Sequence, residues 1–136
     1  MNALPPTLPI RTECPPGACV CDRDALLQDP QADARVLLLT REEEKRLLQR
    51  LEQITSLADL RRLQDRMEQQ LGIRLTIAPG PNEVRTLRGI TILVHEQRGL
   101  CRKTRQSIPA AIRQALELRP EISYELLDEG GLFGRQ

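Results

Sequence analysis

The spacing of apolar residues between Thr40 and Gly72 constrains the fold of this chain more than any other feature. Thr40 has the character of a helix N-cap, and Glu43 three residues later completes a capping box. Apolar residues then recur at helical spacing, and a second such series follows Ser56 and ends at Gly72. The two series are Leu47, Leu48, Leu51, Ile54 and then Leu60, Leu63, Met67, Leu71. This pattern predicts two consecutive helices, for which an antiparallel pair is the simplest arrangement.

The residues after Gly72 predict a β-hairpin and then further helices. Apolar and polar residues alternate at 75–77 and at 90–95, on either side of a turn region at residues 79–82. A loop at residues 97–106 is then followed by Ser107, the predicted N-cap of a third helix, with Pro109 in its first turn. Pro120 ends that helix and begins a short fourth one, which Gly130 and Gly131 end. The predicted fold class is therefore α+β, with a helical pair, a β-hairpin and one or two C-terminal helices.

The first 34 residues differ from the rest of the chain. They contain six of the ten prolines, carry a net charge of −3 and show no periodic apolar pattern. Such a segment is expected to be extended and loop-like unless a metal orders it. The predicted organisation is an irregular arm rich in cysteine and proline at residues 1–34 and a single α+β domain at residues 35–136.

Composition excludes several classes of protein. Tyr124 and Phe133 are the only aromatic residues, so the core must be aliphatic and no aromatic platform exists for stacking nucleic-acid bases. No apolar run approaches the roughly 20 residues of a membrane helix, and the N-terminus lacks the pattern of a signal peptide. These features predict a cytoplasmic protein with reduced thiols. Eighteen arginines against two lysines fit codon usage in a GC-rich bacterial genome.

Three of the four cysteines, Cys14, Cys19 and Cys21, lie within eight residues. The Pro-Pro-Gly sequence between the first two suits a tight turn, and residues two apart on an extended chain point to the same side. Cys101, or alternatively His95, can supply a fourth ligand for zinc, or Cys101 for an iron–sulfur cluster. The spacing C-x4-C-x-C matches neither the paired pattern of common zinc modules nor the ferredoxin run. A metal site therefore requires that the arm lie across the body of the protein.

A basic stretch surrounds Cys101. Residues 85–113 carry seven cations against the single Glu96, within a chain whose total charge is only +1. A helix start offers free amides and a partial positive charge, so an anion site is predicted there. Its candidate residues are Arg98, Arg102, Lys103, Arg105 and Ser107, and its ligand would be phosphate, a nucleic-acid backbone or an acidic partner. Alternatively, these cations solvate a surface loop or pair with the acidic arm and tail.

Three functions follow as hypotheses. The first is a small accessory or regulatory protein that binds zinc or an iron–sulfur cluster and contacts an anion through the basic loop. The second is an interaction module that docks a protein or a nucleic-acid backbone through the basic patch, with incidental thiols. The third is a thiol redox enzyme or sensor, in which Arg102, Lys103 and the helix start favour the Cys101 thiolate. No catalytic constellation is visible, and the phosphatase spacing fails because Ser107 occupies the arginine position, so the sequence favours a non-enzyme.

Overall fold

The computed structural model of the protein describes residues 10, 11, 14, 21–79 and 89–129. This part of the chain forms five α-helices, one 3-10 helix and one two-stranded antiparallel sheet. In chain order the elements are α1 (Arg23–Gln28), the 3-10 helix (Arg35–Leu38), α2 (Arg41–Glu52), α3 (Leu57–Leu71), β1 (Leu75–Pro79), β2 (Ile90–Val94), α4 (Arg102–Leu118) and α5 (Pro120–Glu129). The predicted α+β class, with helices before and after a hairpin, is confirmed.

Helices α2 and α3 begin where the sequence predicts, and α3 also ends there, whereas α2 ends at Glu52 and leaves Ile54 beyond the helix. The Thr40 hydroxyl accepts a hydrogen bond from the Glu43 amide at 3.3 Å, and the Ser56 hydroxyl accepts one from the Asp59 amide at 3.1 Å. Each cap satisfies one of the amides that a helix start leaves without an intrahelical partner. Gly72 ends α3 with φ of +70°, a left-handed conformation that glycine adopts without steric penalty.

The two helices are consecutive as predicted, but each finds its main packing partner elsewhere. Helix α2 packs chiefly against α4, where the Thr104 hydroxyl donates to a Glu44 carboxylate oxygen at 2.9 Å. Helix α3 packs against the 3-10 helix and α5. All of these elements contribute to one aliphatic core, whose fully buried members include Leu37, Leu51, Ile54, Leu60, Ile73, Ile108, Ile112, Leu116, Ile122 and Leu126.

The predicted hairpin is confirmed by the pairing of β1 with β2. Leu75 lies opposite Val94 and Ile77 opposite Ile92, so the apolar residues of both strands share the face that packs against α4 and α5. Leu93 on the other face is half exposed. The predicted turn begins at Pro79, and its remaining residues, 80–82, lie outside the described residues.

The predicted start of α4 is wrong. The helix begins at Arg102 with Cys101 as its N-cap, and Ser107 lies inside it, donating its hydroxyl to the Lys103 carbonyl at 2.8 Å. Thr104 is buried, so the buried face of the helix extends one turn further towards the N-terminus than a cap at Ser107 would allow. Pro109 therefore lies in the interior of the helix rather than in its first turn. Helix α5 begins at Pro120 as predicted, whereas Gly130 and Gly131 lie outside the described residues.

Part of the arm is helical, so its prediction as wholly irregular is wrong for residues 23–28. Helix α1 inserts Leu26 into the core at 2% exposure, beside the fully buried Val36 and Leu37 of the 3-10 helix. A periodic pattern was not visible because α1 is only six residues long and contributes a single buried side chain. This anchor brings the cysteine-containing segment onto the body of the protein.

A buried carboxylate stabilises the connection between α2 and α3. Asp59, 6% exposed, receives two hydrogen bonds from the Arg50 guanidinium at 2.6 and 3.1 Å and one from the Thr55 amide at 3.3 Å. The hydrogen bonds from Arg50 lower the pKa of Asp59 from its ordinary value, against the opposing effect of burial. The carboxylate is therefore bound most tightly in its ionised form.

This lowered pKa predicts an acid-sensitive contribution to stability. Because the folded pKa of Asp59 lies below the unfolded value of about 4, the stabilisation is complete above that value and is lost as pH falls through the folded pKa. Asp59→Asn should lower the free energy of unfolding by about 1–2 kcal/mol at neutral pH and flatten its dependence on acid. Urea unfolding across pH 2–7 measures both effects. Asp65→Asn, an exposed carboxylate on the same helix, is the matched control, and equal acid slopes for the two variants would contradict the prediction.

Candidate metal centre

Three cysteines from distant parts of the sequence meet at one point of the fold. The Sγ atoms of Cys14, Cys21 and Cys101 all lie within 4.8 Å of one another, and the Cys14–Cys21 pair is 3.6 Å apart. Cys21 and Cys101 are 8% and 1% exposed, whereas Cys14 is half-buried. The Cys14 and Cys21 sulfurs are not bonded to each other, because their separation of 3.6 Å is far beyond the S–S bond length of about 2.05 Å. The group is close enough to hold a metal ion.

The arm is held against the body by backbone hydrogen bonds on both sides of this centre. The Gly99 amide donates to the Cys21 carbonyl at 2.6 Å, and the Arg11 amide donates to the Leu37 carbonyl at 2.7 Å. The first bond joins the cysteine-containing arm to the segment that leads into Cys101, and the second joins the arm to the 3-10 helix. The geometric condition for a metal site, an arm that lies across the body, is therefore met for Cys14 and Cys21, while Cys19 lies outside the described residues.

A left-handed residue turns the chain from Cys21 into α1. Asp22 has φ of 59° and ψ of 34°, a region that aspartate tolerates better than most residues. Its carbonyl accepts a hydrogen bond from the Leu26 amide at 3.0 Å, which starts the helix. The buried Leu26 then anchors α1 in the core, so the chain that follows Cys21 is fixed to the body.

Cys101 occupies the N-cap of α4, the longest helix in the described part of the chain. Its backbone is extended, with φ of −67° and ψ of 145°, and its side chain makes no capping hydrogen bond to the first turn. The thiol instead joins the other two sulfurs. A helix N-terminus carries a partial positive charge, so this position favours an anionic sulfur, the form that binds metals.

Two arginines that the sequence interpretation missed border the centre. An Arg11 Nη lies 3.9 Å from the Cys21 Sγ, and an Arg23 Nη lies 3.9 Å from the Cys14 Sγ. Arg11 also donates through Nη2 to the Gly99 carbonyl and is buried, with 7% exposure. A signal was available: Arg11 and Arg23 stand within three residues of Cys14 and Cys21 along the chain.

His95, the predicted alternative ligand, lies just beyond the end of β2. Its Nε2 is 2.7 Å from the Thr76 hydroxyl across the hairpin, and its amide donates to the Arg74 carbonyl. Among the described residues, the group of close metal-ligating side chains comprises the three cysteines and does not include His95. A ligand role for this histidine stays a prediction.

The basic segment forms part of a helix and is partly paired with acids. Arg98 lies 3.2 Å from the Asp29 carboxylate and Arg105 lies 3.3 Å from that of Glu96. The pKa of Asp29 is lowered mainly by a hydrogen bond from the Gln31 amide and, to a smaller extent, by one from the Arg98 side chain. Arg102 and Lys103 are exposed on the first turn of α4, and Ser107 is turned back to its own helix. An anion site at these residues, and with it a protein or nucleic-acid partner, stays a prediction.

Comparisons with known proteins give no further assignment. No protein family, curated protein or solved structure matches the chain. Among the helices within the described ranges, none combines the length and apolar character needed to cross a membrane. The closeness of the three cysteine sulfurs is therefore the observation that bears on function.

Proposed function

We propose that this chain is a small accessory or regulatory protein whose cysteines hold one zinc ion and thereby fasten the N-terminal arm to the α+β body. The observation that carries the proposal is the meeting of Cys14, Cys21 and Cys101, whose Sγ atoms lie within 4.8 Å of one another. Cys101 lies at least 80 positions along the chain from Cys14 and Cys21, so the fold itself brings its thiol to theirs. A shared metal ion would use all three sulfurs.

The sulfur separations favour a single ion over an iron–sulfur cluster. Tetrahedral thiolates at the zinc–sulfur distance of about 2.3 Å lie about 3.8 Å from one another. The Cys14–Cys21 separation of 3.6 Å is close to that value. A cluster spreads its cysteine ligands over two or more iron atoms, which places sulfurs on different irons farther apart. The mutual closeness of all three sulfurs supports one shared ion.

Cys19 is the proposed fourth ligand. It is two residues from Cys21 along the chain, and side chains two apart on an extended segment point to the same side. Cys19 is preferred to His95 because the His95 imidazole already makes a hydrogen bond with the Thr76 hydroxyl on the hairpin. Four thiolates would complete a closed tetrahedral site, which is the pattern of structural rather than catalytic zinc.

A closed site of this kind would couple metal binding to the order of the arm. Three of its four proposed ligands come from the arm and Cys101 comes from the body, so binding free energy would act as folding free energy for the proline-rich segment. Loss of the metal would release the arm from the start of α4. This coupling is the basis for the proposed regulatory or accessory role.

The test is the metal content of freshly purified protein together with its visible spectrum. One zinc per chain and no visible absorbance are expected, and Cys21→Ser should retain much less metal. Strong visible absorbance together with bound iron would indicate an iron–sulfur cluster in place of zinc. Preparations of both proteins that contain no metal would refute the proposal.

A thiol redox role is the second candidate, because the Cys14 and Cys21 sulfurs are 3.6 Å apart and a small movement would allow a disulfide. Cys101 is a poor attacking nucleophile in this arrangement, since it is 1% exposed. The same preparation separates the two candidates. Metal-free protein whose mass is lower by two hydrogens would favour the redox role.

A further inference from the structure

Arg11 carries a charge although it is buried, with only 7% of its surface exposed, and this burial needs an explanation. Its Nη2 donates to the Gly99 carbonyl and lies 3.9 Å from the Cys21 Sγ, while its Nε has no hydrogen-bond partner among the described residues. None of the salt bridges within the described residues includes Arg11. A buried guanidinium is unfavourable unless an anion offsets it, and the described residues place the cysteine sulfurs rather than a carboxylate beside Arg11.

The cysteine centre supplies that anion if it binds a metal as thiolates. Binding Zn²⁺ to four thiols releases four protons and changes the charge of the centre from zero to −2. Nearby guanidiniums would offset this charge, and two lie beside the described sulfurs: Arg11 beside Cys21 and Arg23 beside Cys14. Their positions suit the negative charge that the bound ion and its thiolates would leave.

We propose that Arg11 and Arg23 form a cationic outer shell around the cysteine centre, which stabilises its metal-bound thiolate form and sets the affinity for zinc. This inference rests on the proposed zinc site and assigns two residues to its regulation. Arg11 is the stronger member because it is buried and its hydrogen bond to Gly99 also positions the segment before Cys101. Arg23 is more exposed and shares its charge with Asp24 at 3.6 Å.

The shell has a defined effect on competition between protons and metal. Metal is lost in acid when the thiolates become protonated, and a nearby cation opposes that protonation. Removing the cation should therefore move metal release to higher pH. A residue that only supported the local fold would alter stability without this dependence on its charge.

The experiment compares zinc affinity, by competition with a chelator, and the pH of half-release of zinc for four variants. Arg11→Gln should bind zinc about 10- to 100-fold more weakly and release it at higher pH, as expected for an outer-shell partner. Arg11→Lys retains the charge and should lie nearer to the wild type. Arg23→Gln should shift both quantities in the same direction by less, and it leaves the buried contacts of Arg11 intact.

Arg113→Gln is the matched control. Arg113 also donates a guanidinium hydrogen bond to a backbone carbonyl, that of Ile90 at 3.1 Å, but it lies about 18 Å along α4 from Cys101. Its zinc affinity and release pH should equal those of the wild type. The cationic shell is rejected if Arg11→Gln and Arg23→Gln both match this control, or if Arg11→Lys is as impaired as Arg11→Gln.

The same measurements separate this inference from the zinc proposal. A wild type that binds no zinc would refute the zinc site, and the shell with it. Zinc binding by the wild type, with Arg11→Gln and Arg23→Gln both equal to Arg113→Gln, would retain the site and refute the shell alone.

Discussion

Cys101→Ser is expected to lower zinc affinity by at least about 100-fold, beyond the 10- to 100-fold effects typical of outer-shell residues. Cys101 is the one member of the three-cysteine group that the body of the protein contributes, and it is 1% exposed. Without it the arm cysteines can bind a metal but cannot fasten the arm to α4. Chelator competition on wild type and variant measures the loss.

Serine is chosen because it should preserve the helix that it begins. Position 101 is the N-cap of α4, where a serine hydroxyl is among the preferred groups and the native thiol makes no capping bond. The metal-free variant should therefore be as helical and as stable as the metal-free wild type, which makes that comparison the internal control. An unchanged zinc affinity in Cys101→Ser would remove Cys101 from the site.

Gly99→Ala is expected to lower the free energy of unfolding by about 2–4 kcal/mol, from a left-handed backbone and overpacking together. Gly99 has φ of +85°, and an added Cβ would lie 2.5 Å from a Leu26 methyl and 2.7 Å from a Val36 methyl. Both leucine and valine are buried in the core, so neither can move away freely. The substitution also disturbs the hydrogen bond between Gly99 and Cys21, so zinc affinity should fall with stability.

Gly72→Ala provides the matched control for backbone conformation. Gly72 has a similar φ of +70°, but its added Cβ would meet the side-chain ends of Asp33 and Arg35 rather than the core. The expected loss is about 1–2 kcal/mol, with no effect on zinc affinity. Denaturant unfolding of the two variants measures the difference. Equal losses in both would show that the contacts of Gly99 with α1 and the 3-10 helix are not tightly packed.

The sequence predicted those elements whose signals are local. Thr40 and Ser56 are caps with a hydroxyl in the right place, and the alternation in β1 and β2 follows directly from one buried face. The start of α4 was missed because Ser107 is a common cap residue, whereas the true cap is Cys101, which caps by backbone conformation alone. Local propensity cannot reveal that Thr104 packs against α2.

The candidate centre was predictable in part for a different reason. The chemistry of Cys14, Cys21 and Cys101 indicated them as candidate ligands, and a closed site required the arm to cross the body, as the structure has it. The positions of Arg11 and Gly99 around the cysteine centre were not predictable from the same reasoning. Arg11 is important because it is buried and, among the described residues, makes no salt bridge, and Gly99 because its carbonyl and amide face the arm; both facts arise only from the fold.

X-ray absorption at the zinc edge of the protein as purified is the most direct test of the central claim, that four cysteines hold one zinc ion. The account predicts zinc in one-to-one ratio with the chain and a single shell of four sulfur atoms at about 2.3 Å. A shell that contains nitrogen or oxygen in place of sulfur, metal–metal scattering from a cluster, or protein that carries no metal would contradict it.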